Sequence, residues 1–268
     1  MINIKEIFVY PVKSCRAISV QEVLLTETGL KDDRNWMIVD AGGTFVSQRE
    51  HPKLAQVQPR LSHTALSLSA PAMTDIDLPI AAGEGRVHAD LFGEPVSSLL
   101  VSREASAWFS AYLNGDYRLV TRDPASKRLG GIQYPVRDTS PTSFVDNYGI
   151  LVISEASRDD LNRRLPNSVP MDRFRPNIVI EGVDAYAEDY FAEARTGDVS
   201  LRFIDVCYRC NMTTVDQRTA KVGQEPLATL SRYRSVGPGI RFGSYAAVAN
   251  GIGLTIHASS PLEVELNF

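Results

Sequence analysis

Asp205-Val206-Cys207-Tyr208-Arg209-Cys210-Asn211-Met212-Thr213-Thr214-Val215-Asp216 holds a Cys-x-x-Cys pair, two of only three cysteines in 268 residues. A thiolate is a soft metal ligand and a nucleophile, and a nearby arginine favours its charged form. The spacing leaves several chemistries open. A structural zinc site wants four ligands, typically two such pairs or a pair with closely spaced histidines. The other candidates here are Cys15 and the scattered His51, His63, His88 and His257, so zinc is poorly supported. A thioredoxin-like site would put the pair at a helix N-terminus, whereas Asn211-Met212-Thr213-Thr214-Val215 predicts a strand. The plain alternative is two small buried residues, because unpaired cysteine is often buried.

Other stretches carry groups suited to an anion or a polar ring. In Tyr10-Pro11-Val12-Lys13-Ser14-Cys15, Lys13 is a point charge and Ser14 a donor at the end of a strand; an ordinary exposed turn is the alternative. Arg34, in Asp32-Asp33-Arg34, could fork onto a phosphate or pair with either aspartate. Arg173-Phe174-Arg175-Pro176-Asn177 offers planar guanidinium donors and a carboxamide that both donates and accepts, or a solvated turn before a strand. Gly243 would let backbone approach closely at the start of a late strand, and Tyr245 beside it could donate to a ligand or pack.

These groups need elements to hold them. The first hundred residues read as short strands broken by Gly and Pro: Ile2 to Tyr10, Ile18 to Leu25, Ala65 to Ala70, Val87 to Phe92, Val96 to Val101, and a hairpin around Asp40-Ala41-Gly42-Gly43. Such a run suggests a barrel or sandwich. Ala105, Trp108, Phe109 and Tyr112 then recur at helical spacing up to an Asn114-Gly115 stop. Arg122 to Tyr148 has little periodicity and reads as a domain junction that also folds over a pocket. Beyond it come strands at Ile150 to Ile153, Asn177 to Glu181, Val199 to Val206, Arg241 to Val248, Leu254 to His257 and Leu262 to Leu266. Ser154 or Ser157 caps a helix running to Leu165, and Pro226 starts another carrying Leu227 and Leu230.

Composition bounds the partners. With 28 basic and 32 acidic residues the formal charge is -4, without the basic excess typical of nucleic-acid binders. No apolar run is long enough to span a bilayer. The first residues lack the basic start and apolar stretch of a secretory signal. The expected home is the cytoplasm, with the cysteines reduced.

In this order, the motifs Tyr10-Pro11-Val12-Lys13-Ser14, Asp33-Arg34, Ile153-Ser154-Glu155-Ala156-Ser157, Phe174-Arg175-Pro176-Asn177-Ile178, Cys207 to Cys210, Thr213-Thr214-Val215-Asp216 and Phe242-Gly243 resemble the MOSC superfamily, specifically its two-part members related to the amidoxime-reducing components. The resemblance implies a mainly β (α+β) chain: a MOSC N-terminal β-barrel-like domain over residues 1–121, then a MOSC β-barrel domain over 122–268 with a few packed helices. It also implies a molybdenum cofactor between the two. By matching motifs, Cys210 looks like the metal's thiolate ligand. Lys13, Ser14 and Arg34 look like the phosphate cradle, and Arg175, Asn177 and Tyr245 like pterin-side contacts. Tyr148 and Tyr208 fall at further cofactor positions. The sequence departs from the family pattern at Tyr208, commonly Ser, and at Gln217-Arg218, commonly Pro and an acid. The implied activity is reduction of N-hydroxylated compounds such as amidoximes, hydroxylamines and N-hydroxylated bases. Because no four-cysteine iron–sulfur segment is present, electrons would come from a separate ferredoxin-, flavodoxin- or cytochrome b5-type protein. The alternative is a carrier that binds the cofactor and hands it on.

Overall fold

A computed structural model describes residues 1–80, 83–130, 139–237 and 239–267. Seven strands form a closed barrel: β1 (Ile2–Val9), β2 (Ile150–Ser154), β3 (Ile178–Glu181), β4 (Phe191–Thr196), β5 (Val199–Arg209), β6 (Gly239–Asn250) and β7 (Pro261–Leu266). Their order around the ring is β2-β3-β1-β7-β4-β5-β6, and β6 pairs back onto β2. Only the β2–β3 pair is parallel; closure leaves these strands no open edge. The chain's first strand is therefore a stave in a barrel otherwise built from residues beyond 149, so the two halves are threaded through each other rather than laid end to end.

Alternation along the strands sorts side chains into two layers. Ile4, Ile7, Ile150, Val152, Ile178, Ile180, Leu201 and Ala246 fill the barrel. The alternate residues Leu151, Ile153 and Val179 face outward and pack with Phe174, Phe242 and Cys207 beneath two helices, α2 (Glu155–Arg164) and α3 (Leu227–Ser231). The Ser154 hydroxyl caps α2 by accepting from Ser157 N. Gly243 sits where β6 meets β2, at φ +81°. A Cβ there would lie 2.6 Å from Ile153 Cγ1 and 3.0 Å from Val152 O, so a side chain would obstruct the closing seam.

The N-terminal half contributes a four-stranded sheet (Trp36–Asp40, Tyr117–Arg122, Glu94–Leu100, Arg86–Leu91) and a three-stranded one (Gln58–Leu61, Ala65–Ser69, Ile76–Pro79). Helix α1 (Arg103–Leu113) begins at the Ser102 cap and ends at Asn114, which takes the left-handed conformation. It buries Trp108, Phe109 and Tyr112 against Ile38, Leu66, Leu78 and Leu119. The aromatic stripe is thus core.

Two local expectations change. Asn211–Thr214 is a single 3-10 turn, not a strand. Its threonines bond backward, Thr213 Oγ1 to Cys210 O and Thr214 Oγ1 to Asn211 O, and such local bonds compete with sheet pairing. Within Arg122 to Tyr148, Arg128–Leu129 pairs with Pro141–Thr142; residues 131–138 of that segment lie outside the described residues. Among the described residues, no helix is long and apolar enough to cross a membrane.

Candidate functional site

A cleft between the halves is lined by Lys13, Ser14, Arg34, Tyr148, Arg175, Asn177, Tyr208, Cys210 and Tyr245, together with Asp146, Cys207 and Arg209. Every cofactor contact that the family resemblance implied therefore lines one space, whereas Arg173 does not: it donates to Thr213 O at 3.2 Å and to Asp216 Oδ2 at 3.1 Å. Lys13 and Ser14 lie in the turn after β1, and Arg34 comes just before the strand Trp36–Asp40. Arg175 and Asn177 precede β3, and Cys210 follows β5.

Lys13 is buried. Its Nζ donates to Phe144 O at 2.9 Å and pairs with Asp146. Burial pushes its pKa down to about 8 despite that carboxylate. Burial also opposes ionisation of Asp146, but Lys13, with the Arg49 and Arg34 charges adding to it, outweighs burial and holds Asp146 down to about 2. Ser14 has φ 68°, and its buried hydroxyl oxygen has no hydrogen-bond partner.

Arg34 Nη1 donates to Asp33 Oδ2 at 2.6 Å and to Asn177 Oδ1 at 3.0 Å, and Nη2 donates to Arg175 O at 3.3 Å. Pairing with Asp33 and facing the cleft are thus compatible. Arg175 Nη1 donates to Cys15 O at 2.7 Å. Burial, with the Arg34 charge adding to it, lowers the Arg175 pKa to about 10. Both guanidinium carbons lie over the Tyr10 ring, at 4.2 and 4.3 Å. Asn177 has little left to offer a ligand: Oδ1 also accepts from Leu151 N at 3.1 Å, and Nδ2 donates to Phe8 O at 3.2 Å. It braces Arg34.

Arg34 and Arg175 share the left-handed backbone of Ser14, at φ 49° and 56°. Non-glycine residues held there cost about 1–3 kcal/mol each and cluster at functional sites.

At the sulfur end the cysteines part ways. Cys210 is exposed and caps the Asn211–Thr214 turn, whereas Cys207 is buried in the layer under α2 and α3. Cys207 Sγ accepts from Arg209 Nη1 at 2.9 Å, and Arg209 Nη2 donates to Phe174 O at 2.7 Å. Burial raises the Cys207 pKa. Burial, with Cys207 adding to it, also lifts the Tyr245 hydroxyl well above its usual value. Tyr148 and Tyr245 meet edge to face at 5.6 Å. Tyr208 lies beneath Arg241, 6.0 Å from guanidinium carbon to ring.

Two contributors carry no sequence signal. Asp146 reads as one acid in an irregular segment, and Arg49 as part of a solvated turn. Arg49 reaches Asp146 Oδ2 at 3.5 Å.

The MOSC N-terminal beta barrel domain matches residues 1–116, and the MOSC domain matches residues 139–258. The chain belongs to the MOSC family. It is 36% identical to mitochondrial amidoxime reducing component 2 of Rattus norvegicus over 92% of this chain and 79% of that protein. It is 35% identical to mitochondrial amidoxime-reducing component 1 of Homo sapiens, with the same coverage. It is 33% identical to a molybdenum cofactor sulfurase of Oryza sativa subsp. japonica over 95% of this chain but only 34% of that protein. The cleft of this MOSC protein lies where the two matched regions meet.

An anionic, phosphate-bearing cofactor with one soft metal fits these residues. Four cationic side chains line the cleft (Lys13, Arg34, Arg175 and Arg209); Asp146 answers Lys13 and Asp33 answers Arg34, while among the described residues neither Arg175 nor Arg209 has a carboxylate ion-pair partner. The unpartnered Ser14 hydroxyl stands among them as a donor. Buried cations without anions are costly, so the arrangement calls for a negative group. A protein-built zinc centre does not fit: among the described residues no three His, Cys, Asp or Glu side chains gather as a ligand set.

Proposed function

We propose that this protein is a molybdenum-cofactor-dependent reductase of N-hydroxylated compounds. One observation carries the reading: a buried cationic cradle and a single exposed cysteine sulfur share one cleft at the junction of the two halves. The amidoxime-reducing relatives support it. Lys13, Ser14 and Arg34 would hold the cofactor's phosphate, Arg175, Tyr148, Tyr208 and Tyr245 would flank its pterin, and Cys210 would ligate the metal. Asn177 would act through Arg34. A phosphate inside a protein needs fixed cations and donors, and a metal-bound thiol is deprotonated outright.

When bound, the cofactor supplies two-electron oxygen-transfer chemistry. The N–O bond of the substrate breaks, two electrons and two protons enter, and an N–H compound and water leave. Electrons would come from a separate ferredoxin-, flavodoxin- or cytochrome b5-type protein. The chain's own work is ligation, orientation and access. Thr142 to Phe144 wall a cavity of about 570 Å³ on one side, and Val145 and Asp146 face the cofactor cleft on the other. This segment forms the proposed substrate wall.

The test is turnover of benzamidoxime with an artificial reductant. Sustained reduction by the natural protein and none by Cys210→Ala is expected; reduction retained in Cys210→Ala overturns the ligand assignment. Similarity to the rice sulfurase favours a second reading, a carrier that binds the cofactor without turning over. Tight cofactor binding with no reduction by the natural protein would select it.

A further inference from the structure

Two hairpins adjoin the exposed Cys210. The first follows it: Val215 bridges Val222, Asp216 N donates to Lys221 O at 2.8 Å, and Gly223 N donates to Thr214 O at 3.1 Å. The second lies at the start of β6, where Ser235–Val236 pairs with Gly239–Ile240. Ile240 and Arg241 in turn sit opposite Arg209 and Tyr208 of β5. Helix α3 joins the two hairpins and packs on the Asn211–Thr214 turn.

This stretch has a charge of its own. Residues 217–241 carry Arg218, Lys221, Arg232, Arg234 and Arg241 against Glu225 alone, five bases to one acid in a chain whose formal charge is -4. Glu225 is occupied, accepting from Thr229 N and from Thr229 Oγ1, both at 3.0 Å. Arg234 pairs with Asp189. Arg218, Lys221 and Arg232 are exposed, and with Arg241 they have no carboxylate ion-pair partner among the described residues. The same stretch exposes two large apolar side chains, Val222 at 61% and Val236 at 48%. Exposed single-sign charge around small apolar spots steers an oppositely charged partner into register.

We infer that this basic face docks a small acidic one-electron carrier, which delivers electrons to the metal beside Cys210. The inference rests on the molybdenum-cofactor reading and names the surface its electron donor meets. Each encounter oxidises the carrier by one electron and reduces the metal centre by one, and two encounters supply the pair that cleaves the N–O bond. Complementary charge raises the encounter rate, and salt screens it. Electron-transfer complexes bury little area and are weak, which suits a carrier that must leave between the two transfers. An anionic membrane would also meet these cations, but it has no need of a face set next to the redox centre. That placement favours the carrier.

The test drives benzamidoxime reduction by holoprotein with two reductants. One is a reduced plant-type two-iron ferredoxin, which is acidic; the other is the methyl viologen radical, which is too small to need a docking face. Natural protein is compared with Arg218→Glu/Lys221→Glu, with Arg232→Glu, and with Arg60→Glu/Arg103→Glu, an equal charge reversal at exposed positions of the N-terminal half. The KM for ferredoxin should rise about tenfold in the first variant and about threefold in the second. Both should flatten the fall in ferredoxin-driven rate between about 50 and 300 mM NaCl. Pterin per chain and the methyl viologen rate should stay at the natural values, and the Arg60→Glu/Arg103→Glu control should keep the natural KM for ferredoxin. Natural KM and salt dependence in Arg218→Glu/Lys221→Glu, a control that loses as much, or ferredoxin that drives no turnover in natural protein active with methyl viologen overturns the inference alone. So does binding to phosphatidylserine vesicles that Arg218→Glu/Lys221→Glu abolishes while its ferredoxin kinetics stay natural, since the face would then be a membrane contact. Natural protein without molybdenum overturns the cofactor reading and this inference with it.

Discussion

Gln48 and Gln217 stand 169 positions apart and exchange reciprocal amide hydrogen bonds, 3.1 Å one way and 2.9 Å the other. Both are buried. Each nitrogen's second hydrogen is also used, Gln48 on Ser14 O at 2.6 Å and Gln217 on Val215 O at 3.0 Å. A fully satisfied buried amide pair fixes geometry strongly, and this one bolts the Lys13–Ser14 turn to the strand end that carries Cys210.

Removing one member strands the other. Gln48→Ala should cost about 1–3 kcal/mol, the usual penalty for leaving a buried polar group unsatisfied. Urea unfolding reads it. A double-mutant cycle with Gln217→Ala should give a coupling of about 0.5–3 kcal/mol. Additive single effects would mean that the two amides do not act as a pair.

Gly243→Ala tests the barrel seam. The added methyl meets Ile153 and the Val152 carbonyl, in a conformation disfavoured for a residue with a Cβ. A loss of about 1–3 kcal/mol from overpacking is expected, visible as a lower thermal midpoint. An unchanged midpoint would show that the seam can open at little cost.

Cofactor retention should depend on alkaline pH through Lys13. Its folded-state pKa of about 8 lies below the ordinary lysine value of 10.5, so its charge is present below about pH 8 and lost above it. The phosphate anchor weakens as that charge goes. Meanwhile this group's own contribution to folding stability rises between about pH 8 and 10.5, where the unfolded chain binds more protons. Pterin retained through gel filtration should be lower at pH 9.5 than at pH 7, and Lys13→Arg should flatten the difference. Equal retention in the natural protein at both pH values would remove Lys13 from the cradle.

Asp160 offers an acid-side test away from the cleft. It accepts from Arg164 Nε at 2.9 Å and from Tyr186 Oη at 2.7 Å, and Tyr186 meets Tyr233 at 2.9 Å. Arg164 foremost, with Tyr186, holds its pKa down to about 2, below the ordinary aspartate value of 3.8. The stabilisation is therefore complete above pH 3.8 and is lost as pH falls toward 2. Asp160→Asn should cost about 1–2 kcal/mol at pH 7 and flatten the pH dependence of urea unfolding over that window. A variant with the natural acid profile would show that α2 is held by its apolar face alone.

The sequence was readable where local pattern and local structure agree. Alternation in Ala65–Ser69, the helical spacing of Trp108, Phe109 and Tyr112, and Ser154 before Glu155-Ala156-Ser157 each predict the element observed. Strand β4 was not visible, because Phe191-Ala192-Glu193-Ala194-Arg195-Thr196 is rich in residues that strands disfavour. It is a strand because β5 and β7 pair with both its sides. The place of β1 in the barrel was equally hidden, since its partners β3 and β7 lie more than 170 residues along the chain. At the site, Lys13, Arg34, Arg175 and Cys210 could be singled out by residue type, and their grouping only by family resemblance. Arg49 and Asp146 had no signal at all. Each is an ordinary charge in a turn or loop, and only the folded chain sets Arg49 beside Asp146 and Asp146 beside Lys13.

The central claim is that Cys210 holds a molybdenum atom whose organic tail is anchored by Lys13, Ser14 and Arg34. The most direct measurement is molybdenum and pterin per chain, for natural protein, Cys210→Ala and Lys13→Ala made in cells able to build the cofactor. The account predicts molybdenum and pterin in equal amounts in the natural protein, pterin without stably held molybdenum in Cys210→Ala, and reduced amounts of both in Lys13→Ala. Natural protein carrying neither molybdenum nor pterin, or Cys210→Ala holding the full metal content, would contradict it.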